Sequence, residues 1–318
     1  MLKTKIRKYT PEWVINIYHF VLAHFSALIF GFPSKKMIVI GVTGTSGKST
    51  TCYLLAHMLE KLGFRVGLAS TIMFKVAQKE WINDQKMTMV GRFQLQSLLR
   101  KMVQAKCKFA IIETTSEGIK QHRHQGIHYD VAMLTNLYPE HIESHGSFEN
   151  YKAAKMKLFK KLDHDSIKVI ESRAIEKTIV INGEDEHAID FLNHDIQEKF
   201  VFGTGALSGF EDHVHRVNAE NVEATAKGIS FTLKGEKIHV PILGKHNVYN
   251  VLAAISVGLS QDISLVEMKK TLVDISSIPG RLELIDEGQS FTVIVDFAFE
   301  PRAMTKLYET VALIPHER

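Results

Sequence analysis

Residues 41–51, GVTGTSGKSTT, combine three glycines, a lysine and several hydroxyl groups directly after the apolar stretch MIVI. Gly44 and Gly47 allow backbone N–H groups to turn inward around an anion, and Lys48 can reach a terminal phosphate. A hydroxyl at Ser49 or Thr50 can then ligate Mg²⁺. The strict P-loop pattern also requires a glycine at position 42, which is valine here. The segment still predicts a phosphate-binding loop, with an ordinary glycine-containing turn as the alternative.

Three further polar side chains could complete a catalytic site around this loop. Glu113 ends the apolar run FAIIE, which places a carboxylate at the carboxyl edge of a sheet, where open α/β folds bind ligands. His141 lies in TNLYPEHIESHG, after another strand-like run, and taken alone it is either a ligand or a surface residue. Lys155 belongs to a predicted helix with many lysines, and taken alone we expect it on a solvated face.

The elements that must position these side chains follow from hydrophobic periodicity. Apolar strand-like runs alternate with helical patterns, including a helix from about Ser49 to Lys61 whose N-terminal dipole would face the phosphates. This alternation predicts an α/β fold with a parallel sheet and helices on both faces. Between residues 201 and 240, short alternating segments predict antiparallel hairpins attached to that sheet.

The chain divides into three predicted regions. Residues 1–36 form a basic and apolar helical segment, residues 37–278 a central nucleotide-binding domain, and residues 279–318 a hinge with the start of a C-terminal domain. Within the last region, FTVIVDFAF predicts a buried strand that opens a second α/β domain. Because a domain that begins near residue 291 and ends at 318 cannot enclose a core, we expect this region to be truncated.

Composition and charge narrow the function classes. The formal net charge is +4 with both signs mixed along the chain, so no basic arm indicates a nucleic-acid partner. Cys52 and Cys107 have neither a CxxC neighbour nor a metal-ligand spacing, which fits a reducing, cytoplasmic compartment. Residues 13–34 carry no charged side chain and approach the length of a membrane span. Either this helix is buried or covered by a partner, or it contacts a membrane surface or spans the membrane.

Taken together, these motifs resemble the Mur ligase family, the ATP-dependent amide ligases that extend the peptidoglycan stem peptide. GVTGTSGKSTT is similar to the ATP loop of that family, and ETTSEG, TNLYPEHIESHG, YKAAK, GKHNVYNVLAA and PGRLE follow in the family's order over residues 37 to about 300. The closest resemblance is to the type that adds the third residue of the stem peptide to a UDP-N-acetylmuramoyl dipeptide. Phe299 departs from the family, where a histidine is usual, and the uridine-binding domain and the C-terminal amino-acid-selecting domain have no counterpart here.

The resemblance implies a role for each matching residue. Lys48, His141 and Lys155 would be catalytic, with Lys155 carbamylated and therefore a carboxylate. Two Mg²⁺ ions would be held by Ser49, Glu113, His141 and Lys155. ATP would be bound by Gly44, Thr45, Ser46, Gly47, Lys48, Ser49, Thr50, Asn247, Asn250 and Arg281, with the two asparagines at the adenine and ribose end. The UDP substrate would be bound by Thr88, Thr115, Gln121 and Arg123.

The implied reaction is the addition of an amino acid to a UDP-N-acetylmuramoyl peptide through an acyl phosphate, in peptidoglycan biosynthesis. Two alternatives stay open: a ligase of the same fold that acts on another carboxylate, such as a folylpolyglutamate-like or lipid II-amidating enzyme, and a nucleotide-binding module without ligase activity. We expect a cytoplasmic monomer that binds no nucleic acid, with membrane-surface contact through residues 13–34 as an open alternative. The identity of the added amino acid does not follow from these residues.

Overall fold

The computed structural model describes residues 10–85, 87–140, 142–275 and 277–315. The strands are β1 (Ile38–Thr43), β2 (Val66–Ala69), β3 (Met73–Val76), β4 (Lys79–Ile82), β5 (Phe109–Glu113), β6 (Val131–Leu134), β7 (Lys168–Ile170), β8 (Arg173–Ile175), β9 (Thr178–Asn182), β10 (Glu198–Gly203), β11 (His215–Thr225), β12 (Gly228–Leu233), β13 (Glu236–Val240), β14 (Glu283–Ile285) and β15 (Val293–Val295). The helices are α1 (Glu12–Ile29), α2 (Lys48–Lys61), α3 (Arg92–Gln104), α4 (Ser116–Lys120), α5 (Ile142–His145), α6 (Phe148–His164), α7 (Ala188–Leu192), α8 (Asn247–Ser260), α9 (Leu265–Leu272) and α10 (Pro301–Val311).

An 11-stranded sheet organises the molecule, in the order β13-β12-β11-β10-β9-β6-β1-β5-β2-β3-β4. The strands from β2 through β5, β1, β6, β9 and β10 to β11 pair in parallel, and antiparallel hairpins extend both edges. The predicted α/β fold with a parallel sheet and a smaller antiparallel region is therefore confirmed. Because β1, β5 and β6 run in the same direction, their carboxyl ends meet at one edge of the sheet.

Helices cover both faces of the sheet and bury its apolar side chains. On one face α2, α8 and α9 pack through side chains such as Leu55, Met58 and Leu252 over strand residues such as Ile40 and Ile111. On the other face α3 and α6 pack over a second cluster that includes Leu99 and Phe159. Strands buried on both faces are expected to be continuously apolar, which is the pattern of β1 and β5.

Two sequence-based expectations differ from the structure. The change to antiparallel pairing begins only between β11 and β12, since β10 pairs in parallel with both of its neighbours. The run FTVIVDFAF is not a buried strand, because β15 pairs only with the short β14, and Phe291, Phe297 and Phe299 are exposed. Its apolar residues follow an alternating pattern, and sequence alone does not show whether a second layer covers them.

The helix predicted near the N-terminus is present as α1, which packs against α3. Across residues 10–85, 87–140, 142–275 and 277–315, no helix combines the length and the apolar character needed to cross a bilayer.

Candidate active site

The glycine loop predicted to bind phosphate joins the end of β1 to the first turn of α2. At two of its glycines, neighbouring atoms lie too close for any side chain. Gly44 has φ +146°, and a side-chain carbon there would lie 1.9 Å from Thr135 Oγ1. Gly47 has φ +77°, and a side-chain carbon there would lie 2.4 Å from Asn250 Oδ1. Both positions therefore exclude a larger residue, and the loop leads the chain directly into the N-terminus of α2, where backbone N–H groups are exposed by helix geometry.

The segment after β6 fixes the shape of this loop. Asn136 accepts hydrogen bonds from the Thr45 amide at its carbonyl and from the Ser46 amide at its side chain, both at 2.9 Å. The Thr135 hydroxyl donates to the Ser46 carbonyl at 2.7 Å. These bonds hold the loop from the neighbouring parallel strand, so the backbone is positioned before any ligand arrives.

Two basic side chains, Lys48 and Arg281, lie beside the loop. Lys48 Nζ donates to the Thr45 carbonyl at 2.7 Å. Arg281 lies beyond it, with Nη2 3.4 Å from Ser49 Oγ. Burial lowers the pKa of Lys48, the Glu113 carboxylate opposes this shift, and the charge of Arg281 adds to it. The chain thus concentrates positive charge where the α2 N-terminus already favours an anion.

Glu113 lies at the end of β5, as predicted, and is almost fully buried. Its carboxylate accepts hydrogen bonds from the Ser49 hydroxyl at 3.0 Å, the Thr71 amide at 2.7 Å and the Thr71 hydroxyl at 3.0 Å. The Thr88 hydroxyl lies 2.8 Å from the Thr71 hydroxyl and extends the network. A carboxylate and a hydroxyl at the head of a phosphate loop are the donor set that Mg²⁺ accepts when phosphates and water supply the remaining ligands.

The structure overturns the expectation that Lys155 taken alone lies on a solvated face. Only 1% of its surface is exposed, and Nζ donates to the Gly44 carbonyl at 2.7 Å beneath the phosphate loop. The amine also lies 4.3 Å from the centre of the Tyr151 ring. Burial holds the pKa of Lys155 well below its usual range, and the nearby Lys48 charge lowers it further. Burial thus favours the neutral form of this amine, which is nucleophilic, over the charged form of a surface lysine.

The asparagines at the start of α8 are buried, and Asn250 lies beside the loop. The Asn250 side chain accepts a hydrogen bond from the Thr51 hydroxyl at 3.1 Å and faces Gly47. Asn247 accepts from Asn250 at 2.7 Å and donates to the Leu243 carbonyl at 2.6 Å. The reason is the packing of α8 against α2, which sequence order does not reveal.

The predicted substrate residues fall into two groups. Thr88 and Thr115 line the same cleft as the phosphate loop, and the Thr115 hydroxyl also caps α4 by accepting from the Gly118 amide. Gln121 and Arg123 lie outside that cleft, and Arg123 Nη2 donates to Gln121 Oε1 at 2.7 Å. The Arg123 guanidinium also donates to the Met89 carbonyl.

His141 lies outside the residues that the structure describes. Among the described residues, no group of three or more His, Cys, Asp or Glu side chains is arranged to hold a metal ion. Of the four predicted metal ligands, the structure brings Ser49 and Glu113 within hydrogen-bond distance of each other and places Lys155 under Gly44.

The cleft above the loop has a volume of about 790 Å³. Its far wall comes from the C-terminal region, where Glu300 accepts a hydrogen bond from the Tyr138 hydroxyl at 2.6 Å and Arg302 lies over the Tyr138 ring. Burial raises the pKa of Glu300. The side wall is the segment after β9, where the Tyr249 hydroxyl donates to Glu184 at 2.7 Å. The C-terminal region thus closes a cleft whose floor is the phosphate loop.

A family profile described as the Mur ligase middle domain matches residues 42–258. The chain belongs to the Mur ligase family. The UDP-N-acetylmuramyl-tripeptide synthetase of Roseiflexus is 34% identical to it over 301 residues, which are 91% of this chain and 57% of that protein. The UDP-N-acetylmuramoyl-L-alanyl-D-glutamate–2,6-diaminopimelate ligase of Bacillus cereus is 31% identical over 293 residues, which are again 91% of this chain and 57% of that protein. The chain therefore spans just over half the length of these curated relatives.

Solved structures agree with this Mur ligase fold. A UDP-N-acetylmuramoyl-L-alanyl-D-glutamate–2,6-diaminopimelate ligase superposes with a TM-score of 0.70 at 24% identity, covering 89% of this chain and 55% of the other. A folylpolyglutamate synthase of Mycobacterium tuberculosis superposes with a TM-score of 0.65 at 16% identity, covering 95% and 74%. At these identities the likeness concerns the fold alone.

Sequence reasoning missed several residues of this Mur ligase cleft. Thr71 supplies two of the hydrogen bonds that orient Glu113, and Asp185 accepts from the Leu137 amide at 2.5 Å. Tyr138 and Tyr249 form walls of the cleft. Thr71 and Asp185 each follow a parallel strand, so the rule that identified Glu113 at a strand's carboxyl end could have found them.

Proposed function

We propose that this chain carries the nucleotide-binding and catalytic core of an ATP-dependent carbon–nitrogen ligase that adds an amino acid to a UDP-N-acetylmuramoyl peptide in peptidoglycan biosynthesis. The observation that carries the proposal is the Ser49 hydroxyl 3.0 Å from the buried Glu113 carboxylate, at the head of a glycine loop and a helix N-terminus. The named activities of the curated relatives supply the substrate class.

In this proposal the loop from Gly44 to Thr50 holds the ATP phosphates with its backbone N–H groups, and Lys48 contacts the γ-phosphate. Arg281 adds a second positive charge from the hinge, since its guanidinium reaches Ser49. Asn250 keeps Gly47 in place from below and lines the cleft, and Asn247 supports Asn250. The preorganised loop would reduce the reorganisation that phosphoryl transfer requires.

Mg²⁺ fits this site, because Ser49 and Glu113 offer a hydroxyl and a carboxylate oxygen, and Mg²⁺ usually takes one or two protein ligands beside phosphates and water. When bound, the metal neutralises the charge that develops on the transferring phosphate. We propose two such ions, with His141 and a carbamylated Lys155 as ligands of the second. Thr71 and Thr88 would orient Glu113 for this role.

Carbamylation of Lys155 requires a neutral amine, whose nitrogen attacks the carbon of CO₂ and loses a proton to leave a carbamate anion. The buried environment favours the neutral amine, because desolvation holds the pKa of Lys155 well below that of an exposed lysine. The product would carry a carboxylate-like group towards the underside of the loop, where Lys48 supplies a compensating charge.

The proposed reaction has two steps. A carboxylate oxygen of the UDP-linked peptide attacks the γ-phosphorus and ADP leaves, which gives an acyl phosphate. The amine of the amino acid then attacks the acyl carbon, phosphate leaves, and the amine loses a proton. We propose that Thr88, Thr115, Gln121 and Arg123 hold the UDP-linked peptide, and that the protein works as a monomer in the cytoplasm.

The test measures nucleotide binding by calorimetry, and phosphate release and amide formation with Mg-ATP, a UDP-N-acetylmuramoyl dipeptide and a panel of amino acids. Lys48→Ala should abolish turnover while the protein stays folded, because this lysine contributes most when negative charge develops. Lys61→Ala, on the same helix but in an exposed ion pair with Asp274, is the matched control and should stay active.

Equal turnover by Lys48→Ala and the parent would refute the catalytic assignment. Nucleotide binding without amide formation from any amino acid would favour a nucleotide-binding module. Amide formation on another carboxylate, such as a folate, would overturn the substrate class alone.

A further inference from the structure

Helix α1 presents large apolar side chains to the outside of the molecule. Trp13, Val21 and Leu28 are 65%, 57% and 61% exposed, and other large residues of the helix share this outer side. The outward set is Trp13, Ile17, Tyr18, Phe20, Val21, Phe25, Leu28 and Ile29. A surface helix of a globular protein normally carries polar residues on that side. The exposed face of α1 is therefore apolar where a solvent-facing helix surface is normally polar.

The inner face of α1 is made of small residues that fix its orientation. Ala23, Ser26 and Ala27 are buried, and a side-chain carbon on Gly126 would lie 2.8 Å from the Ala23 carbonyl and 2.9 Å from Ala27. On the same side α1 contacts α3. Because the helix is already seated through small residues, its large apolar side chains cannot turn inward without losing this close packing.

The surroundings of this face are basic. Helix α1 begins with Glu12, but the sequence from Trp13 to Leu59 contains no aspartate or glutamate, and neither does the segment 85–112 that includes α3. Lys35 and Lys36 follow the helix and are exposed, and four further basic residues precede it at positions 3, 5, 7 and 8. Basic residues thus flank the apolar helix on both sides in the sequence, in a chain whose overall charge is only +4.

We propose that the outer face of α1 binds the surface of an anionic lipid bilayer, with the helix lying in the plane of the interface. Apolar side chains would enter the boundary between headgroups and acyl chains, and lysines would contact lipid phosphates. Trp13 and Tyr18 are residue types enriched at this depth. This inference does not depend on the ligase activity, since it concerns a surface separate from the phosphate loop.

Charge favours lipid over a second copy of this chain as the occupant. A symmetric dimer through α1 would bring two basic surroundings together, and like charges at an interface disfavour association. An anionic bilayer supplies the opposite charge over the same area.

The test uses the whole chain and two kinds of vesicle, phosphatidylglycerol mixed with phosphatidylcholine, and phosphatidylcholine alone. The parent should sediment with the anionic vesicles and release in about 1 M NaCl, where the Debye length is about 3 Å. The double variant Ile17→Glu, Leu28→Glu should bind about tenfold or more weakly. Ile189→Glu, which changes another exposed helical isoleucine, is the matched control and should bind like the parent.

Tryptophan fluorescence gives a second readout of membrane binding that does not need the glutamate substitutions in α1. The chain has two tryptophans, Trp13 and Trp81, so Trp81→Phe leaves Trp13 as the sole reporter. Its emission should shift to the blue with anionic vesicles. The proposal is overturned if no shift and no sedimentation occur, or if the double variant binds vesicles like Ile189→Glu. It is also overturned if the parent is a dimer in light scattering that Ile17→Glu, Leu28→Glu dissociates.

Discussion

The first prediction concerns Lys155 and distinguishes a free buried amine from a carbamate at this position. Lys155→Met keeps most of the side-chain volume under the phosphate loop and removes the amine that donates to Gly44. Lys157→Met, two residues along the same helix and exposed, is the control. We expect Lys155→Met to lose about 100-fold or more in amide formation, the scale of losing an electrostatic or metal-supporting group. Lys157→Met should be nearly silent.

The effect on stability has a sign that follows from the lowered pKa of Lys155. Between its folded pKa and the unfolded value of about 10.4, the unfolded chain holds one proton more than the folded chain. The free energy of unfolding therefore rises with pH in this range, by up to about 1.4 kcal/mol per pH unit from this group. The stability of the parent relative to that of Lys155→Met should therefore increase as the pH rises towards 9.

The loss of the hydrogen bond to Gly44 is a separate effect that pH does not change. It leaves a buried carbonyl without this donor and costs about 1–3 kcal/mol at every pH. Urea unfolding of the parent, Lys155→Met and Lys157→Met across pH 7 to 9, in buffer free of CO₂, separates this constant offset from the slope. Addition of ¹³C-labelled bicarbonate and Mg²⁺ should then give a carbamate carbon resonance in the parent and in Lys157→Met.

Three results would refute this reasoning. The pKa argument is wrong if the parent and Lys155→Met show the same pH slope. The carbamate assignment is wrong if no such resonance forms in the parent with ¹³C-labelled bicarbonate and Mg²⁺. The functional role of Lys155 is wrong if Lys155→Met is as active as Lys157→Met. If Lys155 supplies a carboxylate-like group, short carboxylic acids should restore part of the activity of Lys155→Ala. If the functional role is wrong, this rescue should be absent.

Two further substitutions test the glycine loop and a buried ion pair of the sheet that carries it. Gly47→Ala should weaken ATP binding about tenfold or more, because its new carbon would meet Asn250, whereas Gly63→Ala has positive φ but open space and should bind ATP normally in calorimetry. Lys168→Met removes a buried amine 2.6 Å from the Asp130 carboxylate and should lower the free energy of unfolding by about 3–5 kcal/mol. In urea unfolding Lys269→Met, which breaks an exposed pair, should cost less than about 1 kcal/mol, and equal costs would contradict the argument.

The sequence alone was sufficient to predict the parallel sheet and the place of the glycine loop between β1 and α2. Alternating apolar runs and helical periods are local features, and they determine an α/β fold because both faces of the strands must be covered. Glu113 could be placed beside Ser49 for the same reason, since β1 and β5 end at one edge of a parallel sheet. The two side chains are 64 residues apart in sequence and 3.0 Å apart in the structure.

Other parts of the site depended on tertiary packing. Residues 152–161 contain five lysines, and no local pattern in charge singles out Lys155. Packing of α6 on the sheet buries that one amine under Gly44 and leaves Lys157 exposed. Likewise Asn250 reaches Gly47 only because α8 packs beside α2.

The apolar helix α1 shows the same division. Beyond Glu12 its sequence specifies a helix without charge, and that pattern is consistent with a buried, a docked or a spanning helix. The close packing of Ala23 and Ala27 on Gly126, together with the contact between α1 and α3, decides which face turns inward and hence which side chains are exposed. Periodicity describes a helix relative to its own axis, whereas the neighbouring elements decide which side of that axis meets the protein.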